Sequence, residues 1–369
     1  MKTIPFPADP ATSEHRAEGG AVIRATTLRA ADDMAMIRAA AELTRDLNPP
    51  KPWVYWGDCL ASAAIGYGGL WVAVTSDVPV IAIIAAIISI LALYRAGSFI
   101  HELTHLKHAL VPGFRLGWNL LVGIPLLVPS FMYEGVHSLH HARTRYGTAD
   151  DPEYLPLALM KPYTVPLFVL VSALAPIALL FRYAVLAPLS ALIPALRIMV
   201  VERYSGLAIN PAFRRRAPEG ELKRWWIGLE CAASLWAMAL IAGVISGFVP
   251  LPGFLMFMGV ASGVAVLNQV RTLVAHLWEN DGGVLNTTNQ YLDSVNVPPP
   301  GWLPILWAPV GLRYHAIHHL LPGLPYHALG EAHRRLTAAL PEGSTYHRAN
   351  YEGLSVLVAR LIGSTMKRT

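Results

Sequence analysis

Charged side chains are scarce in this sequence. Asp, Glu, Lys and Arg make up 14% of the 369 residues, whereas a soluble domain carries about 25%. The deficit excludes an ordinary soluble protein and, together with 54% hydrophobic residues, predicts an integral membrane protein. The net charge of +5 is in that setting typical of a cytoplasmic membrane face rather than of a nucleic-acid site.

Cysteine is nearly absent. The two cysteines, Cys59 and Cys231, both lie within apolar stretches. They are too few for a disulfide framework and offer no thiolate metal site. Metal chemistry in this chain would therefore use nitrogen or oxygen donors.

Four apolar stretches are each about 20 residues long, enough for a helix to cross a hydrocarbon core of roughly 30 Å. They cover residues 53–75, 78–97, 225–249 and 251–275. Short turns around Asp77 and Pro250 separate the members of each pair. The sequence therefore predicts an all-α membrane protein with two transmembrane helical hairpins.

The distribution of Lys and Arg predicts the orientation of these spans. The outer turns contain neither residue, whereas residues 203–224 contain six, among them Arg214, Arg215 and Arg216. Because positive charge accumulates on the cytoplasmic side, both termini and the histidine-rich segments are expected in the cytoplasm. The protein itself is expected in a bacterial inner membrane. Residues 1–52 and 341–369 would then flank a membrane domain at 53–340, whose spans carry a cytoplasmic helical cap.

One apolar region does not match a simple span. Residues 163–201 are apolar but are interrupted by several prolines and by Arg182. Since both flanks are expected on the cytoplasmic side, the region crosses the membrane either twice or not at all. The prolines favour helices that lie in the membrane interface, and a further hairpin is the alternative.

Ten of the 14 histidines fall in four places. They are His101, His105 and His108 after the second span; His137, His140 and His141 in HSLHH; His276 after the fourth span; and His315, His318 and His319 in HAIHH. Side chains at i, i+3 and i+4 of a helix share one face. Each motif is therefore expected to point its three imidazoles the same way, and all four places to converge just beneath the bilayer.

The number of histidines predicts two metal ions. One zinc ion takes about four ligands, fewer than this cluster supplies, whereas two irons would use nine or ten imidazoles, and imidazole suits iron. A zinc protease of the H-E-x-x-H type, with Glu102 as general base, is a competing interpretation. A zinc protease would leave most of these histidines unused. The sequence offers only Asp281 as its further acidic ligand. A metal transporter would need ionisable groups near the membrane midplane, and these spans have almost none.

Three motifs together carry a family resemblance. HELTH, HSLHH and HAIHHLLPGLPYHAL resemble the three histidine boxes of the membrane fatty acid desaturase superfamily in order and spacing, over roughly residues 50–340. The resemblance implies a four-span core, a cytoplasmic di-iron centre, O2 as oxidant and an aliphatic substrate held in a bent tunnel. It also implies a ligand between the second and third boxes, where His276 lies, and it requires no counterpart of His108.

The expected ligand set is nine histidines, with His108 as an additional candidate and no separate catalytic group. The nine are His101, His105, His137, His140, His141, His276, His315, His318 and His319. Two iron ions are the expected cofactors, and zinc is expected instead if overexpression mismetallates the site.

Acidic side chains near the boxes are predicted to support these ligands. Glu102 is expected to accept a hydrogen bond from a ligand imidazole. Asp150, Asp151 and Glu153 follow the second box and are candidates for the same task, with a helix cap or a solvated loop as the alternative.

The resemblance implies that an external redox protein supplies the electrons. Arg143 and Arg145 beside the second box are predicted to dock an acidic donor, ferredoxin-like or cytochrome-type, unless they serve only to set topology. The favoured reaction is desaturation of an acyl chain in a lipid or an acyl thioester. Hydroxylation of an aliphatic lipid on the same scaffold is the alternative, which the motifs alone leave open.

Overall fold

The structure, a computed structural model, describes residues 31–366. Over these residues the chain is helical, and β structure is limited to three isolated bridges. The prediction of an all-α protein is therefore confirmed. The first 30 residues of the predicted N-terminal segment 1–52 lie outside the described residues, as do residues 367–369 of the C-terminal tail.

Long helices form the membrane part, and short helices form a cap at one end of it. In chain order the helices are α1 (Met34–Leu43), α2 (Pro52–Thr75), α3 (Pro79–His105), α4 (Phe114–Trp118), α5 (His137–His140), α6 (Thr164–Leu192), α7 (Pro194–Tyr204), α8 (Gly220–Ile245), α9 (Leu251–Leu273), α10 (Thr287–Asp293), α11 (Pro304–Trp307), α12 (His315–Leu320), α13 (Leu329–Ala339) and α14 (Leu354–Met366). Within the described residues, α2, α3, α6, α8 and α9 are long and apolar enough to cross a membrane. The chain is thus an integral membrane protein.

The first hairpin, α2 with α3, packs closely because one position lacks a side chain. A Cβ added at Gly66 would lie 2.6 Å from the Leu93 side chain, so glycine permits this approach. Ser89 donates a hydrogen bond of 2.8 Å to the Gly66 carbonyl. Nearer the cap, Arg95 Nε donates to Asp58 Oδ1 at 2.7 Å. These contacts hold α3 in register against α2 and so position the histidines at its end.

Two span boundaries differ from the predicted ones. The span predicted at 78–97 continues as helix through His105, because the HELTH residues extend it without a break. The span predicted at 251–275 ends at Leu273. His276 therefore lies beyond the end of the helix. Its backbone is held by an isolated β-bridge with Ser294.

The proline-interrupted region forms two helical arms of unequal length. The first arm, α6, has 29 residues and includes a π-helical turn at Arg182–Leu186. The return arm, α7, has 11 residues and is about 16 Å long at 1.5 Å per residue. Because that is about half a hydrocarbon core, two full spans do not form here, and an interfacial position stays a prediction.

The cap is a second hydrophobic core beyond the spans. It joins α1, α10, α12 and α13 around fully buried aromatic side chains such as Tyr146, Tyr154 and Trp278. Tyr326, in the PYHAL part of the third motif, ties this cap to the first hairpin. Its hydroxyl donates to Asp58 at 2.9 Å, and its backbone N–H donates to Glu102 at 3.1 Å. The continuation of the third box therefore fixes the cap on the spans.

Candidate metal centre

Four separate chain segments bring nine histidines together at the junction of spans and cap. His101 and His105 lie one turn apart at the end of α3. The second box occupies α5, a single turn, and the third box begins α12. His276 follows α9. Seven of the nine histidines are buried, and His105 and His141 are partly buried.

The nine side chains form two groups within the described residues. The five-histidine group contains His101, His105, His137, His141 and His318, and the four-histidine group contains His140, His276, His315 and His319. In each group the donor atoms lie within 4.8 Å of one another. All nine histidines predicted as ligands are therefore gathered at two points, each of which could hold a metal ion, and their role as ligands stays a prediction.

Each H-x-x-H-H motif is divided between the two groups. In the second box His137 and His141 belong to the five-histidine group, whereas His140 belongs to the four-histidine group. The third box divides the other way, with only His318 in the five-histidine group. The expectation that each motif points its imidazoles to one place is therefore wrong. Instead, each of these one-turn motifs supplies donors to both groups. The rings of His141 and His319, which belong to different groups, are stacked with their centroids 4.3 Å apart.

The spacing of the ring nitrogens matches ligands around a shared ion. The Nε2 atoms of His137 and His141 are 3.0 Å apart, and those of His276 and His315 are 3.1 Å apart. Two nitrogens about 2.1 Å from one ion lie about 3.0 Å apart at a right angle and about 3.4 Å apart at the tetrahedral angle. The observed separations therefore fit donors around one ion in each group.

Unpartnered nitrogens give independent support for a metal. Nε2 of His101 and Nε2 of His105 are buried and have no hydrogen-bond partner within the described residues. Leaving a buried polar atom unpaired costs about 1–3 kcal/mol. A bound cation would remove that cost, so these nitrogens fit a metal ion at the five-histidine group.

Electrostatics keep most of these imidazoles in the form that binds metal. Burial, followed by the neighbouring histidines, holds the pKa well below 6.5 in one set outside the spans. This set is His137, His141, His276, His315, His318 and His319. Neutral imidazole offers a lone pair to a metal, so these groups are ready to bind without first losing a proton.

Two carboxylates after the second box lie within hydrogen-bond distance of its histidines, and their role in supporting metal ligands stays a prediction. Asp151 is fully buried and accepts from Nδ1 of His140 at 2.9 Å. Glu153 accepts from Nδ1 of His137 at 2.9 Å and from the Tyr133 hydroxyl at 2.7 Å. Each contact fixes the tautomer that leaves Nε2 free to face the metal.

Burial and nearby charges shift the pKa of His140 and the pKa of Glu153. Burial lowers the pKa of His140, but the nearby Asp151 carboxylate outweighs it and leaves that pKa raised. Burial also raises the pKa of Glu153 to about 7. His140 therefore faces a buried carboxylate that favours its charged form.

A third supporting group was not predicted from the sequence. Nδ1 of His276 lies 2.8 Å from the Tyr146 hydroxyl, which in turn donates to Asp293 at 2.9 Å. Asp293 also accepts from Tyr154 at 3.2 Å, and burial raises its pKa to about 6. Tyr146 and Asp293 lie outside the histidine motifs, so no local spacing indicated these contacts. The contacts from His276 through Tyr146 to Asp293 are called the Tyr146–Asp293 relay below.

Three predicted site residues have other positions. Glu102 lies 3.8 Å from Nδ1 of His101, too far for a hydrogen bond, and instead accepts from Tyr55 at 2.7 Å. It is an anchor between helices, so neither a direct support of an imidazole nor a protease base is formed. Asp150 is exposed and does not contact a histidine within the described residues. His108 is exposed as well, because α3 ends at His105 and the predicted common face is not formed.

The basic residues near the second box have different exposures. Arg143 is exposed and forms an ion pair of 3.0 Å with Asp32, whereas Arg145 is partly buried. In the run of three arginines, Arg215 is buried and donates to the carbonyl of Glu134 at 2.6 Å. Arg215 is therefore structural, and docking of a redox partner at Arg143 and Arg145 stays a prediction.

Comparisons with known proteins identify a family and a relative. The family model for fatty acid desaturase matches residues 76–350. A ceramide hydroxylase of Caulobacter vibrioides (strain NA1000 / CB15N) is 49% identical over 329 residues, which is 88% of this chain and 93% of that protein. No solved structure matches this chain. The matched range contains all nine grouped histidines.

Proposed function

Because this chain belongs to the fatty acid desaturase family, we propose that it is an O2-dependent di-iron membrane oxidase that hydroxylates an aliphatic chain of a ceramide. The observation that carries the substrate and the reaction is 49% identity with a ceramide hydroxylase over 88% of the chain. This likeness favours hydroxylation over desaturation, the reaction that the histidine motifs alone favoured. An enzyme of this family replaces the zinc-protease interpretation.

The reaction inserts one oxygen atom into a C–H bond. One ceramide C–H, one O2, two electrons and two protons give one C–OH and one water. The electrons come from an external redox protein, and the second oxygen atom leaves as water. Two iron ions held by the five-histidine and four-histidine groups would supply the redox chemistry with O2 that oxidation of an unactivated methylene requires, since no amino-acid side chain is adequate.

The chain's own residues hold and orient the metals and exclude water. Asp151, Glu153 and the Tyr146–Asp293 relay set the tautomers of His140, His137 and His276. Burial of seven of the nine imidazoles and partial burial of the other two keep bulk water from the oxidant. These contacts support stable metal binding during repeated turnover, since partners of this kind raise metal affinity about 10–100-fold.

The electron donor is proposed to dock beside the second box. Arg143 is exposed there, and its neighbour Arg145 is partly exposed, so both present positive charge close to His140 and His141. A small acidic ferredoxin-like protein or a cytochrome would complement them. This placement puts the cap in the cytoplasm of a bacterial cell, with the spans in the inner membrane.

Oxygen labelling tests the proposed reaction. The protein is expressed with a redox donor in a ceramide-producing host, cells are grown under ¹⁸O2, and lipids are analysed by tandem mass spectrometry. We expect a ceramide with one ¹⁸O in a new hydroxyl, absent from cells that express the His315→Ala variant. An unlabelled ceramide that has lost two hydrogens would instead establish desaturation and refute the hydroxylase.

Metal analysis tests the proposed cofactor separately. Protein purified from iron-supplemented cells is expected to contain about two metal ions per chain, one for each histidine group. Anomalous scattering at the iron and zinc edges identifies the metal at each position. A single ion held by His101 and His105 would contradict the di-iron proposal.

A further inference from the structure

An apolar groove lies between residues 301–307, which include α11, and residues 352–358, which include the start of α14. It is called the α11–α14 groove below. Its volume of about 710 Å³ is within the range of about 300–1,000 Å³ that is typical of ligand sites. Most of the described residues that line it are apolar, among them Trp302, Leu303, Leu306, Trp307, Leu354 and Val358, and none is one of the nine grouped histidines. A molecule bound here would therefore not contact the histidines.

The groove lies at the level of the membrane spans. The Tyr94 hydroxyl on α3 donates to the Trp307 carbonyl at 2.9 Å, and α11 packs against α3 and α9. Tyr94 follows Pro79, where α3 begins, by about 22 Å along the helix at 1.5 Å per residue. Because a hydrocarbon core is about 30 Å thick, Trp307 lies at the depth of that core, in the half nearer the cap.

The residues around the groove present an apolar surface to the outside. Trp302 is 67% exposed and Ile305 is 55% exposed. Val356, on the α14 side, is exposed as well. Tryptophan is enriched where membrane proteins meet the bilayer interface, and an exposed apolar patch commonly marks a binding surface. Since this surface continues the lipid-facing surface of the spans, its occupant is expected to be an aliphatic chain.

The floor of the groove adjoins the metal centre. Trp307 and Val358 pack against a small buried cluster that contains Val274. Val274 lies two residues before His276, a member of the four-histidine group. A chain in the groove would therefore be held behind the wall of the metal centre, close enough for its position to affect where the rest of the same lipid lies.

The polar residues at the groove favour an uncharged headgroup. Glu352 and Ser355 are exposed there, and Glu352 is the only charged residue among the described residues that line the groove. Glu352 would repel the anionic phosphate of a phospholipid. A ceramide headgroup is uncharged, and its hydroxyl and amide N–H groups are donors for which carboxylate and hydroxyl oxygens are acceptors. The charge at the groove therefore favours a ceramide over a phospholipid.

We propose that the α11–α14 groove binds the aliphatic chain of the ceramide that is not oxidised and so holds the substrate while its other chain reaches the histidines. This inference rests on the proposed function, because it takes ceramide as the substrate. A ceramide has two aliphatic chains joined at its amide headgroup, and the proposed reaction takes place at one carbon. Binding of the part that does not react can position the part that does.

Gly353 offers a variant that blocks the groove without a clash in the fold. A Cβ added at Gly353 would meet no atom within 4 Å, so the ring of Gly353→Phe has room to enter the groove that this residue lines. Each buried methylene that the ring displaces lowers affinity roughly fourfold. We expect kcat/KM for ceramide to fall at least about tenfold, with metal content retained. Gly343→Phe is the matched control, because Gly343 also has open space but does not line the groove, and its kcat/KM should be unchanged.

Photolabelling tests binding without turnover. Two photoreactive ceramides, each with a diazirine near the end of one chain, are added to the protein in phosphatidylcholine nanodiscs, and labelled peptides are identified by mass spectrometry. We expect one of the two probes to label residues 301–307 or 352–358. Labelling should be reduced in Gly353→Phe and retained in Gly343→Phe. Excess unlabelled ceramide should displace the probe, whereas the same excess of phosphatidylglycerol should not.

Several results would overturn the proposed binding site. They are a groove that neither probe labels, equal labelling in the two glycine variants, displacement by phosphatidylglycerol as readily as by ceramide, and loss of metal or an unchanged kcat/KM in Gly353→Phe. If Gly353→Phe does not fold, Ser355→Phe takes its place, since Ser355 is exposed at the same groove. A wild-type protein that is labelled in the groove but does not hydroxylate ceramide would instead overturn the proposed function.

Discussion

Asp151 and Asp150 are adjacent in sequence, but within the described residues only Asp151 contacts a histidine of the two groups. The buried Asp151 carboxylate accepts three N–H donors, from His140 and from the backbones of Gly147 and Glu153, at 2.8–3.0 Å. In an Asp151→Asn variant one carboxylate oxygen becomes an NH2 group, so at least one of these donors meets another donor. A buried donor left unpaired costs about 1–3 kcal/mol, and losing the acceptor behind a ligand imidazole lowers metal affinity about 10–100-fold.

The matched Asp150→Asn variant isolates this effect. Asp150 is exposed, so its substitution changes the charge by the same amount without removing a buried acceptor. Metal content by mass spectrometry, chelator competition and thermal unfolding in detergent should show weaker metal binding and a lower Tm for Asp151→Asn only. Equal metal affinity and equal Tm in the two variants would refute the assignment of Asp151 to His140.

Two further predictions concern the histidines. His276→Ala should reduce the metal content from about two ions per chain to about one and abolish product, because it removes one of the four donors in its group. His108→Ala should change neither the metal content nor the product. The reverse result would show that these two histidines were assigned the wrong way round. The metal-free protein should lose stability as pH falls below about 6.5: burial depresses the pKa of six histidines, so the unfolded chain binds more protons in that range. The Tm of metal-free protein in detergent should therefore fall between about pH 8 and pH 5.5, and a constant Tm would contradict this origin of the stability.

Local patterns were enough to find the candidate ligands but not to sort them into the two groups. Repeated H-x-x-H-H spacing on one-turn helices identified His137, His140 and His141 as candidates, because residues three and four apart share a helical face. Which group each imidazole joins depends on the angles at which α3, α5 and α12 meet, and no spacing within one motif contains that information. The boundary at Leu273 was missed for a related reason: the bridge of His276 with Ser294, rather than a change in composition, ends the helix there.

Composition and periodicity by themselves specified a helical membrane protein with two hairpins and a nitrogen-rich metal centre, since apolar length and ligand type are properties of short segments. The supports of that centre depended on the tertiary structure. Asp293 reaches His276 only through Tyr146, and Glu102 is held away from His101 by Tyr55. Both contacts join residues that are far apart along the chain, so they are decided only when distant segments pack together.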